Sequence, residues 1–135
     1  MNLQALITLA AFLVTLGVLV SFHEFGHFLA ARLCGVRVLR FAVGFGKPLF
    51  TYVAKNKTEW VIASIPLGGY VKLLDGRDRE QKISSVEAPE AFDYKPLWQR
   101  SVIVAAGPFA NFFLAIILFA VIYISGAPQL PAILK

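Results

Sequence analysis

No charged residue occurs before Glu24. Leu3 to Phe22 forms a run of 20 apolar or weakly polar residues, enough for a helix to cross a bilayer core of about 30 Å. A second run extends from Val102 to Ile124, interrupted only by Gly107, Pro108, Asn111 and Tyr123. This pattern predicts two membrane-spanning helices. The first continues to about Arg32 and stops at Gly35, since glycine just past the last turn ends many helices.

Between the runs the pattern changes. Val36–Val43, Leu49–Val53, Glu59–Ile65 and Tyr70–Leu74 are rich in β-branched and aromatic residues. Turn signals separate them at Gly44-Phe45-Gly46-Lys47-Pro48, Lys55-Asn56-Lys57 and Pro66-Leu67-Gly68-Gly69. A small antiparallel sheet or a pair of hairpins is expected. Gly76 to Glu90 is polar and of mixed charge and reads as a flexible loop. Phe92, Tyr94, Leu97 and Trp98 suggest a short segment at the membrane interface, where aromatic residues concentrate. The predicted class is a membrane α-helical protein with a β-rich insert. Its parts are a first span (1–34), a β-rich segment (35–75), a loop (76–101), a second span (102–125) and an external tail (126–135).

Composition narrows the class. Of 135 residues, 58% are hydrophobic and 16% charged, whereas soluble domains are about 45–50% apolar and about 25% charged. Disorder is excluded by the hydrophobicity, and a disulfide scaffold by the single cysteine, Cys34. The net charge of +5 would suit nucleic acid, but its placement has another explanation. Twelve of the 13 Lys and Arg residues lie between Leu29 and Ser101. Arg32, Arg37, Arg40 and Lys47 follow the first span; Lys95 and Arg100 precede the second. By the positive-inside rule the middle segment is cytoplasmic and both termini lie outside. No nucleic-acid partner is expected. The first run is a retained span, because no basic residue precedes it and it exceeds the length of a signal-peptide core.

His23-Glu24-Phe25-Gly26-His27 fits His-Glu-x-x-His. On a helix, positions i and i+4 share a face, so both imidazoles can reach one metal ion. Glu24 can then take a proton from water at that metal. Zinc suits two neutral imidazoles, and catalytic zinc sites use three protein ligands and leave one position open. The same five residues on a soluble surface helix could be a solvated face without function. Here they follow 20 uncharged residues, and a carboxylate at membrane depth costs about 2.5 kcal/mol or more, which makes function the default reading.

Several stretches around this motif resemble the site-2 protease family of intramembrane zinc metalloproteases, and in particular the N-terminal part of the bacterial regulator-of-sigma-E type. They are Gly17-Val18-Leu19-Val20 leading into the motif and Phe28, Ala31 through Val38, Phe45-Gly46-Lys47, Ile65 through Lys72, Trp98-Gln99-Arg100, and Ala105 through Phe112. The resemblance implies a multi-pass protein of the bacterial inner membrane that cleaves transmembrane protein substrates. It implies that His23 and His27 hold zinc and that Glu24 is the general base. It also implies that the β-rich segment re-enters the bilayer, with Gly44, Phe45, Gly46 and Asn111 helping to hold substrate. Hydrolysis needs an extended backbone, which an exposed strand edge can pair with. A purely cytoplasmic sheet is the alternative for that segment. For Asn111 the alternative is helix-to-helix hydrogen bonding, beside the small residues Ala105, Ala106, Gly107 and Ala110.

The family takes its third zinc ligand from an Asp in a later span and carries PDZ domains. This sequence contains neither, and so is expected to be the N-terminal part of a longer protease, inactive alone. Leu74-Asp75-Gly76 mimics the family's Leu-Asp-Gly, but it follows the β-segment with no Pro-rich apolar run before it. Asp75 is therefore not expected to be a ligand, and Asp78 and Asp93 still less. Cys34 lies seven residues past His27, about 10 Å along the helix, and reads as a packing residue. The competing functions are a non-catalytic membrane scaffold that binds partner helices, and a quality-control zincin with its motif exposed in the cytoplasm. The motif's place at the end of the first span disfavours the latter.

Overall fold

The computed structural model describes residues 2–126; the expected external tail lies outside them except for Gly126. Two helices, α1 (Leu3–Leu33) and α2 (Leu97–Ile124), enclose two long strands, β1 (Val38–Val53) and β2 (Glu59–Leu73). Asn2 caps α1 by accepting a hydrogen bond from the Ala5 amide at 2.8 Å. At the other end Gly35 adopts φ +76°, and Val36 N–H returns to the Ala31 carbonyl at 2.8 Å. These satisfy carbonyls that the last turn would leave bare. The helices have 31 and 28 residues, with mean hydropathies of 2.5 and 2.4 over their most apolar stretches. Each is long and apolar enough to cross a bilayer.

The β-segment differs from the expected four short pieces. Only the turn at Lys55-Asn56-Lys57 separates strands, with Lys57 at φ +68°. The other two turn signals fall inside continuous strands. Gly44 and Gly46 take φ values of +89° and +84°, a region closed to most side chains, so β1 bends there without ending. The bend sets Glu59 to Ile62 between the two halves of β1, and β2 in turn folds back so that Arg40, Phe41, Ala42 and Val43 have partners on both sides. Phe41 lies beside both Val71 and Trp60, and Ala42 beside both Tyr70 and Val61. The second half of β1 runs antiparallel to the start of β2, from Phe50↔Ile62 to Val53↔Glu59. Arg40 ties the layers, donating to Glu59 at 2.9 Å and to the Tyr70 hydroxyl at 3.2 Å.

Leu97 and Trp98, expected in a short segment of their own, form the first turn of α2 behind Pro96. Phe92–Tyr94 is a short 3-10 turn before it. Pro96 begins this helix well because it lacks the N–H that a helix start leaves unpaired anyway. The loop from Asp75 is also more ordered than its composition suggests. Asp75 pairs with Arg77, Asp93 accepts from the Gly76 amide at 2.8 Å, and the Phe92 amide donates to the Leu74 carbonyl at 2.7 Å.

The core lies where these elements meet. Ala30, Ala31, Val36, Val38 and Ile103 are buried together, with Leu73 and Phe92 against them. Phe28 extends the cluster to the sheet, its ring 5.9 Å from Phe41 and 5.0 Å from Trp60. The helices cross at Gly26, where a Cβ would run into the Ala106 carbonyl oxygen and come within 2.7 Å of the Ala110 Cβ. Small residues on both helices therefore set their spacing. Gly26→Ala should force the helices apart and cost about 1–3 kcal/mol, read as a lower denaturation midpoint in detergent. Gly17→Ala, with no atom within 4 Å of the new Cβ, should leave the midpoint unchanged or raise it.

Candidate metal centre

His23 and His27 lie one turn apart on the α1 face turned toward α2, both half-buried. Their Nε2 atoms are 3.1 Å apart and their rings nearly perpendicular, at 82°. His27 Nδ1 lies 2.8 Å from the Ile103 carbonyl of α2. A carbonyl can only accept, so Nδ1 carries the proton and donates, and Nε2 of the neutral ring keeps its lone pair toward His23. Such an anchor on the remote nitrogen is the usual support of a metal-binding histidine.

Gly107 closes the other side. A Cβ there would lie 2.5 Å from His27 Nε2 and 2.8 Å from His23 Nε2. The absence of a side chain is what leaves both nitrogens open toward one point. Zinc–nitrogen bonds of about 2.0–2.1 Å at a tetrahedral angle place two ligand nitrogens roughly 3.3 Å apart, and the observed 3.1 Å fits. Two neutral imidazoles are also the right donors for zinc.

Glu24 is half-buried beside His23. Asn111 follows Gly107 by one turn, and its Oδ1 is buried with no hydrogen-bond partner among the described residues. Gly44, Phe45 and Gly46 lie at the bend of β1. Gly44 abuts the Ala63 and Ile65 carbonyls, and the Phe45 ring covers Gly68. The sheet reaches α1 at Gly69, where a Cβ would lie 3.1 Å from Val20 Cγ1, one turn before His23.

No group of three or more His, Cys, Asp and Glu residues converges among the described residues. Asp75 is engaged elsewhere: its carboxylate accepts from Arg77 Nη2 at 2.7 Å and Nε at 3.0 Å. The Arg77 guanidinium holds this carboxyl below its ordinary value of 3.8. Cys34 is the half-buried residue ending α1, packed on the core cluster. The contributions of Gly26 and the Ile103 carbonyl were not legible in the sequence; one is a missing side chain and the other a main-chain atom.

Known proteins place the chain in a family. The model of peptidase family M50 matches residues 11–134. A regulator of sigma E protease from Haemophilus influenzae is 45% identical over 128 residues, covering 95% of this chain and 28% of that protein. The protease RseP of Yersinia pestis is 50% identical over 122 residues, 90% of this chain and 27% of the relative. A Xylella fastidiosa protein assigned by name to the zinc metalloproteases is 52% identical over 114 residues, 84% and 25%. The chain belongs to peptidase family M50, a family of membrane-embedded proteases. It spans about a quarter of the length of these relatives.

Two outcomes follow from the geometry. Gly107→Ala should place a methyl group between the imidazoles and weaken zinc binding by about 10–100-fold, the loss typical when a ligand's support is disturbed; zinc titration of the purified protein measures it. The Asp75–Arg77 pair should stabilise the loop fully above the ordinary carboxylate value and be lost as pH falls below it, because the folded pKa is lowered. A lower protection factor for the Arg77 amide in acid, relative to the intrinsic exchange rate at the same pH, would report that loss.

Proposed function

We propose that the chain supplies half of the catalytic centre of a zinc-dependent intramembrane endopeptidase. The observation that carries this reading is the pair of Nε2 atoms 3.1 Å apart over Gly107. His23 and His27 hold the zinc, and the remaining spans of the full-length protease supply the third protein ligand. Zinc, when bound, supplies Lewis acidity and brings the pKa of water near neutrality. Glu24 takes the proton of the attacking water and returns it to the leaving amine. Ile103 fixes the His27 tautomer through its carbonyl, and Asn111 offers its unpaired amide to the substrate backbone.

The substrates are transmembrane proteins, and their segments must unwind before hydrolysis. An extended segment pairs with a free edge of the sheet, which begins beside Val20 and so near the metal centre. The sheet exposes Leu49, Phe50, Tyr52, Val53 and Leu67, the first of these at 69%. An exposed apolar sheet surface of this kind supports re-entry into the bilayer. The Lys and Arg residues between the helices support a cytoplasmic loop with both helix ends 3 and 124 outside, in the bacterial inner membrane.

The presence of only two metal-binding imidazoles among the described residues favours a second reading for the chain by itself, a scaffold that binds partner helices. Cleavage of a model single-span substrate by the full-length protein separates the two. Glu24→Gln should lower the rate by about 10²–10⁴-fold while zinc content stays unchanged. His23→Ala should lose both. Equal cleavage by wild type and Glu24→Gln would contradict the protease reading.

A further inference from the structure

The Gly69–Leu73 part of β2 pairs with β1 on one side, and among the described residues no strand pairs with its other side. Peptide groups along a strand point alternately to its two edges. The Leu74 amide points inward, donating to the Arg37 carbonyl at 2.9 Å. The Leu73 carbonyl and the Asp75 amide therefore face the outer edge. Gln81 bridges these two groups. Its Nε2 donates to the Leu73 carbonyl at 3.2 Å, and its Oε1 accepts from the Asp75 amide at 2.9 Å.

That is the pattern an added strand makes. A residue of a parallel neighbour donates its N–H to one carbonyl and accepts from the amide two residues on. The Gln81 carboxamide occupies the place of a main-chain unit in the next strand. It is held there by its own loop: Nε2 also donates to Asp78 Oδ2 at 3.0 Å, the Gln81 amide donates to the Asp78 carbonyl at 3.1 Å, and Asp75 grips Arg77. A groove of about 490 Å³ runs along this edge past Val71, Lys72 and Leu73, and Gln81 is part of its wall.

We propose that Gln81 is a register stop for the substrate strand. It rests on the reading that an extended substrate pairs with this edge. An incoming chain finds the outward groups of Gly69 to Leu73 free at one end and closed by Gln81 at the other. The last substrate residue able to pair is the one that meets Gln81. Because the opposite end of the strand begins beside Val20, a stop at Gln81 sets which peptide bond lies at the histidines. Gln81 touches no reacting atom, so its role is positioning: it decides where the cut falls rather than how fast the chemistry runs.

The test uses the full-length, zinc-loaded protein and a single-span model substrate carrying single cysteines at successive positions. Lys72→Cys on the enzyme, in the Glu24→Gln background that leaves substrate uncut, reports by disulfide formation which substrate residue lies opposite. Mass spectrometry of products from the Glu24 enzyme reports the cleaved bond. Wild type should give one crosslinked position and one cleaved bond. With Gln81→Ala, a second register and a second product should appear, each displaced by two residues, because only an even slip keeps side chains on their own faces. Gln81→Glu, equal in size, keeps the acceptor for Asp75 but cannot donate to Leu73, and should give the same displaced product in smaller proportion. An unchanged register and cleavage site in both variants would overturn the proposal, as would a loss of rate with no displaced product. No crosslink from Lys72→Cys to any substrate position in an enzyme that still cleaves would instead overturn the edge-pairing reading, and the register stop with it.

Discussion

The close crossing of α1 and α2 is the contact on which the site depends. At Gly26 the two backbones come so near that a methyl group would strike the Ala106 carbonyl. That proximity lets the Ile103 carbonyl reach His27 across the gap and lets Gly107 face both imidazoles. Widening the crossing by the thickness of one side chain would lengthen the Nδ1 hydrogen bond and free the His27 ring to rotate. In the proposed centre one helix supplies the ligands, and the other their orientation and the space for a metal. This division explains why two small residues, Gly26 and Gly107, matter as much to the centre as the histidines themselves.

The sheet is coupled to the same crossing. Phe28, adjacent to His27, packs on Phe41 and Trp60, and Gly69 rests on Val20 one turn before His23. The strand edge is thus fixed relative to the metal centre through α1. A site that must cut an unwound segment needs both a place to hold extended chain and a fixed distance from that place to the reacting atoms. On the proposed reading, rigid elements supply both, and the Asp75–Gln81 loop closes the far end of the edge.

How much of this was legible in the sequence depended on what carries the information. The two helices announced themselves through long uncharged runs, and His23, Glu24 and His27 through a spacing that only a helix makes useful. The glycines at 44 and 46 were visible, but as the ends of strands. In fact the strand stays continuous while their positive φ values turn it back, so that the residues before and after the bend flank Glu59 to Ile62. Leu97 and Trp98 read as a short separate segment because they precede the uncharged run, yet Pro96 starts the helix just before them. The His27 anchor was invisible, since every residue carries a carbonyl. Gln81 was hidden for a related reason: its part is defined by two main-chain groups at and just past the end of a strand, six and eight residues before it, and its surroundings read only as a polar loop.

In the proposed centre α1 and α2 together make half of a zinc site with two imidazole ligands. X-ray absorption at the zinc edge of the full-length protein tests it directly. The expected spectrum is fitted by two imidazole nitrogens at about 2.0–2.1 Å, and His27→Ala should lose the bound zinc as His23→Ala does. Bound zinc whose spectrum shows no imidazole, or is unchanged when His27 is replaced, would contradict it.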